Sequence, residues 1–141
     1  MFIDYTGVSA LSMIVVDADV WIDYFCGRSN HATEYLHDVL GRQLVSTGDW
    51  TFAEVLYHFV GTASLCTIQD LLSSILVLSM GDESLVRKAA AHAQWLAEQG
   101  VYLSHMRDHV LATFCVEHQY SLLTQDQRFQ PYCEHFGLKT L

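Results

Sequence analysis

Short apolar runs alternate along this chain with longer stretches in which apolar residues recur at helical spacing. Met13-Ile14-Val15-Val16 is an unbroken apolar run rich in β-branched residues, the pattern of a strand buried on both faces of a parallel sheet, and it stops abruptly at Asp17. Val20, Trp21, Ile22, Tyr24 and Phe25 then carry the apolar side of a short helix expected to begin at Asp19. After the loop Cys26–Asn30, Asn30 or Thr33 opens a helix to about Leu40, closed by Gly41. Leu44–Ser46 is a second strand, and Thr47-Gly48-Asp49 turns the chain into a helix over 50–60 with Phe52, Val55, Leu56, Phe59 and Val60 on its inner side.

A helix over 64–74 and a third apolar strand over 75–79 follow. Gly81-Asp82 starts the longest helix, where Leu85, Val86, Ala89, Ala90, Ala93, Leu96 and Ala97 keep helical spacing up to the stop at Gly100. A helix over 106–117, a strand over 120–124 and a last strand over 138–141 complete the chain. Short apolar strands separated by helices imply βαβ crossovers, and hence a three-layer α/β/α sandwich with a mostly parallel sheet. Residues 13–141 read as one domain, with 1–12 as an N-terminal extension ahead of the first strand.

Composition narrows the class. Of the 141 residues 51% are hydrophobic and only one is proline, so a folded core is expected rather than disorder. No run approaches the roughly 18 apolar residues of a membrane span, and Met1–Ser12 lacks the basic start and apolar core of a signal peptide, so a cytoplasmic protein with no membrane partner is expected. Cys26, Cys66, Cys115 and Cys133 form no CxxC pair and read as free thiols, mostly buried. The nearest zinc-like pairs, His105 with His109 and Cys133 with His135, are each incomplete, which leaves the histidines as surface residues. A formal charge of −9 excludes a protein that coats nucleic acid through a basic stripe, but not an enzyme that gathers carboxylates around a metal.

Four acids stand at element boundaries. Asp17 and Asp126 each follow a buried strand, and a parallel sheet brings such positions to one carboxyl edge, where open α/β folds place ligands. Glu54 lies one turn into the third helix, where Thr51-x-x-Glu54 also fits a capping box; Asp108 opens a helix, where it also complements the dipole. Asp17 or Asp19 equally serves as an N-cap. Four capping roles on one rim would crowd like charges, which repel unless a cation sits among them, and all-oxygen donors favour Mg²⁺ or Mn²⁺.

The segments IVVDADVWIDYF (14–25), TGDWTFAEVLYHF (47–59), RDHVLATFCVEHQYSLLTQDQRF (107–129) and FGLKTL (136–141) resemble the PIN domain, in particular the VapC-type toxins of type II toxin–antitoxin pairs, in order and in spacing. The resemblance implies a five-stranded sheet ordered 3-2-1-4-5 and an endoribonuclease whose acidic quartet falls on Asp17, Glu54, Asp108 and Asp126. It also implies Asp17 and Asp108 as main ligands of Mg²⁺ or Mn²⁺, completed by Glu54 and Asp126. Thr124 would hold Asp126 or a water. A homodimer is implied, inhibited by a small antitoxin whose C-terminal segment covers the groove.

Three departures qualify this. Asp19 stands where relatives often have Ser or Thr, and either joins the metal-facing group or caps the helix. Arg128 replaces a further Asp, and either meets RNA phosphate, pairs with a site carboxylate or points to solvent. Ser104-His105-Met106 offers little positive charge beside Arg107, which implies weak RNA affinity. Two other readings compete: a catalytically weak PIN-like module that binds a protein or RNA partner, and a receiver-like domain, which wants a Lys near the acids where this chain has only Lys88 and Lys139.

Overall fold

The computed structural model describes residues 13–141, so the expected N-terminal extension lies outside the described residues. The strands are β1 (Ile14–Val16), β2 (Val45–Gly48), β3 (Leu76–Leu78), β4 (Ser121–Leu123) and β5 (Lys139–Thr140). They form one sheet ordered β3-β2-β1-β4-β5, and every pairing is parallel. The helices are α1 (Ala18–Phe25), α2 (His31–Val39), α3 (Asp49–His58), α4 (Leu65–Ser73), α5 (Glu83–Glu98), α6 (Met106–His118) and α7 (Gln130–Phe136), with a 3-10 turn over Gln127–Phe129. This is the expected α/β/α sandwich with its order of strands. A receiver-like sheet runs 2-1-3-4-5 and is thereby excluded.

The period-two alternation of β1 sorts the core into two layers. Ile14 and Val16 face a cluster with Val20, Trp21, Leu36, Val55 and Leu72, whereas Met13 and Val15 face Leu96, Leu111, Cys115, Leu122, Phe129 and Tyr132. β1 is central, so both faces are covered and Val15 and Val16 have no exposure. Caps fix where the helices start. Asp17 accepts from Ala18 N, Asn30 and Thr33 form a reciprocal capping box, and Asp82 accepts from Leu85 N. Among the described residues, no helix is long and apolar enough to cross a membrane.

Several expectations need correction. α1 starts at Ala18, because Asp17 rather than Asp19 is its cap. Gly48 caps α3, so Thr51 and Glu54 form no capping box. Gly48 makes room for a neighbour: a Cβ there would lie 2.7 Å from Sδ of the buried Met80, whose side chain would have to shift. β3 is a sheet edge and leaves Leu76 and Val77 exposed, and Val60 and Val86 also face outward. Periodicity places a residue on a helix face without saying whether anything covers that face. Cys26 and Cys66 are exposed, Cys115 is buried and Cys133 half-buried. His109 is no surface residue: it is buried, with Nδ1 2.6 Å from the Tyr132 hydroxyl.

Candidate active site

The carboxyl edge of the sheet carries the acids. Asp17 leaves β1 with its backbone N–H donating to Leu123 O of β4 at 2.9 Å, so the ends of the two central strands are held together. Its side chain is fixed twice: Oδ1 accepts from Ala18 N at 2.9 Å, and Oδ2 accepts from Thr124 Oγ1 at 3.0 Å. Thr124, expected to hold the Asp126 carboxylate or a water, therefore orients Asp17 instead; it accepts the backbone N–H of Asp126 at 3.1 Å. Asp108 stands in the first turn of α6 and is buried like Asp17, where the positive end of the helix favours a carboxylate.

Arg128 joins three of the four acids. Its Nη2 lies 3.2 Å from Asp17 Oδ2 and 3.3 Å from Asp108 Oδ1, its Nε lies 3.2 Å from Asp108 Oδ2, and its Nη1 pairs with Asp126. Asp126 Oδ1 also accepts the Arg128 backbone N–H at 2.8 Å and so caps the 3-10 turn. Glu54, on α3, stays outside this knot and pairs with Arg107 Nε at 3.1 Å. All the acids except Asp126, together with Asp19, line one cavity of about 670 Å³, whose remaining wall is largely apolar, from Ile22, Trp50, Met80, Val86 and Met106.

The fold thus brings Asp17, Asp108 and Asp126 together around Arg128 and leaves Glu54 apart on Arg107, so the compensating charge comes from the chain itself. Arg128 pairs with the site and does not point into solvent. The partnership of Arg107 with Glu54 was not foreseen, nor was that of Gln125, whose Nε2 donates to Asp23 Oδ2 at 3.0 Å and ties the exit of β4 to α1. No local pattern signals a bond between residues so far apart in sequence.

Burial dominates the electrostatics. It pushes the Asp17 carboxyl above its ordinary range, although Arg128 beside it acts in the opposite direction. Burial, with the neighbouring Asp17 charge, raises Asp19 to about 6. Burial also raises Glu54, against the pull of Arg107. For Arg128, burial opposes the charge, but Asp17, Asp108 and Asp126 outweigh it and hold the guanidinium above its usual value.

Asp19 has a consequence for stability. A carboxyl whose folded pKa lies above its unfolded value binds more protons in the native state, so its contribution falls as pH rises from 3.8 to about 6 and stays low above that. Asp19→Asn removes the loss. Relative to wild type, the variant gains stability across this window and keeps the gain at neutral pH, which denaturant melts at a series of pH values will read. A difference independent of pH would contradict the half-buried placement of Asp19 beside Asp17.

The donor chemistry suits a hard divalent ion, since Asp17 and Asp108 offer oxygens close enough to meet one guanidinium nitrogen. Mg²⁺ commonly takes one or two carboxylates and keeps waters. Among the described residues, no three His, Cys, Asp or Glu side chains already stand at ligand spacing. The carboxylates that fit such an ion, Asp17 and Asp108, are the two that Arg128 pairs with.

No family model and no curated protein matches the sequence. Solved structures do match in three dimensions. VapBC-1 from nontypeable Haemophilus influenzae superposes with a TM-score of 0.71 at 19% identity, covering 92% of this chain and 96% of that one. DNA-bound VapBC from Salmonella typhimurium gives 0.72 at 14% identity, covering 93% and 98%. VapBC-5 from Mycobacterium tuberculosis, of the VapBC family of toxin–antitoxin systems, gives 0.64 at 19% identity, covering 92% and 98%. The chain therefore has an α/β/α fold with an acidic cavity at the carboxyl edge of a parallel sheet. That fold is PIN-like and is shared with these VapBC structures.

Proposed function

We propose that this protein is a metal-dependent endoribonuclease acting as the toxin of a toxin–antitoxin pair. The observation that carries the reading is the convergence of two buried carboxylates, Asp17 from the end of β1 and Asp108 from the start of α6, on one point of the sheet edge inside a ligand-sized cavity. Asp17 and Asp108 would hold Mg²⁺ or Mn²⁺, with Glu54 and Asp126 completing the set. When bound, the ion supplies Lewis acidity at the phosphodiester and offsets charge on the substrate.

The chain's own residues supply the rest. Thr124 keeps Asp17 in one rotamer, so a ligand oxygen is presented without rearrangement. Glu54, whose carboxyl burial raises above its ordinary value against the pull of Arg107, takes the proton of the attacking water. RNA cannot be held through a basic stripe on a chain of formal charge −9, so stacking has to replace it. Trp50, 66% exposed on the cavity wall, and Tyr57, 80% exposed, lie seven residues apart on the face of α3 that also carries Glu54, and offer bases two aromatic platforms.

The apolar wall beside the carboxylates suits an antitoxin segment with apolar and basic side chains. The VapBC likeness supports such a partner. The edge strand β3, which leaves Leu76 and Val77 exposed, supports a homodimer. A cytoplasmic setting accords with this role. The seated guanidinium of Arg128 favours the second reading, a catalytically weak module that binds a protein or RNA partner.

The two separate on one measurement: purified protein is incubated with structured RNA in Mn²⁺ and in EDTA. Cleavage at least about 100-fold faster with Mn²⁺ is expected. Equal rates in the two buffers, or no cleavage in either, would overturn the nuclease.

A further inference from the structure

We propose that Arg128 is a built-in counter-ion occupying the divalent-ion position, so that a seated guanidinium and a bound ion exclude one another and Arg128 sets the affinity for metal. The inference rests on the reading of Asp17 and Asp108 as ligands. It adds a determinant of when that site is loaded.

Three observations carry it. The first is position: one nitrogen, Nη2, sits 3.2 Å from Asp17 Oδ2 and 3.3 Å from Asp108 Oδ1, between the two carboxylates that would hold a divalent ion. The second is charge. Asp17, Asp108 and Asp126 face a single guanidinium, which neutralises one negative charge where a divalent ion neutralises two, so exchange of one cation for the other is electrostatically downhill once the ion's hydration is met.

The third is fit. The Arg128 Nε–H is buried without a well-directed hydrogen bond, although an Asp108 oxygen lies 3.2 Å away, so the seat does not satisfy the guanidinium fully. The backbone of Arg128 is anchored separately, through its N–H to Asp126 Oδ1, and the side chain is 30% exposed. The head group can therefore leave towards solvent about a fixed Cα without unravelling the turn.

The test is Mn²⁺ binding, read by calorimetry and by the electron paramagnetic resonance of bound Mn²⁺, on wild type, Arg128→Gln, Arg128→Lys and the double variant Asp17→Asn/Arg128→Gln. Removing the cation that competes for these two carboxylates should tighten binding by at least about tenfold in Arg128→Gln. Arg128→Lys, which keeps the charge but loses the planar fork, should fall between that variant and wild type. The double variant should not bind. Without metal, Arg128→Gln should melt below wild type and recover on adding Mn²⁺, whereas wild type should respond little to EDTA. Affinities of wild type and Arg128→Gln within twofold of each other would overturn the exclusion while leaving the metal site intact. Absence of Mn²⁺ binding in all four proteins would remove the metal site and this inference with it.

Discussion

Asp17→Asn should lower Mn²⁺-dependent RNA cleavage by at least about 10³-fold, and Asp108→Asn by a similar factor, a loss of roughly 4 kcal/mol of transition-state stabilisation. Each substitution removes a unit charge from a buried ligand without changing its shape. Asp17→Asn keeps the oxygen that accepts from Ala18 N and puts an amide N–H in place of Oδ2, where Thr124 Oγ1 has to turn and accept, so the cap of α1 survives and the fold should stay within a few degrees of wild type in melting temperature. Glu54→Gln and Asp126→Asn should cost less, because Glu54 already shares its charge with Arg107 and Asp126 stands at the rim with 42% of its side chain exposed. Single-turnover cleavage with enzyme in excess separates the chemical step from product release. Activity within tenfold of wild type in folded Asp17→Asn would move the chemistry away from this edge of the sheet.

How far the chain announces this site depends on the kind of signal. Asp17 was visible because a buried strand breaks off at a carboxylate, and the parallel topology that follows from alternating strands and helices then requires Asp126 to lie at the same edge. Both are consequences of local pattern plus a connection rule. Arg128 shows where this stops. Its three partners come from the ends of β1 and β4 and the start of α6, and which of pairing, phosphate contact or solvation it adopts depends on the direction of one long side chain. The same limit applies to Glu54, whose capping-box spacing is satisfied in sequence while the helix begins earlier, at Asp49 with Gly48 as its cap. β3 and His109 fail for opposite reasons. An apolar strand cannot state that it is last in its sheet, and a histidine cannot state that a tyrosine hydroxyl awaits it in the core.

The largest effect on stability is expected one turn beyond Asp17, at Trp21. Its indole is 2% exposed, stacks on Phe25 with ring centroids 5.7 Å apart and meets Tyr24 edge-on at 6.4 Å. It packs α1 against β1 and α3, in the layer on which the first half of the sheet rests. Trp21→Ala should cost about 3–5 kcal/mol and lower the melting temperature by roughly 10–20 °C. Trp21→Phe should cost far less, since the indole Nε1 makes no hydrogen bond that the substitution would break. The pair of variants isolates packing from polarity, and urea melts will give both values. A cost below about 1.5 kcal/mol for Trp21→Ala would mean that α1 is not held to the sheet as described. The position of Asp17 depends on that packing, because the residue is at once the last of its strand's exit and the cap of the helix Trp21 anchors. Where Trp21→Ala remains folded below its transition, RNA cleavage should therefore fall together with Mn²⁺ affinity, whereas Trp21→Phe should leave both near wild type.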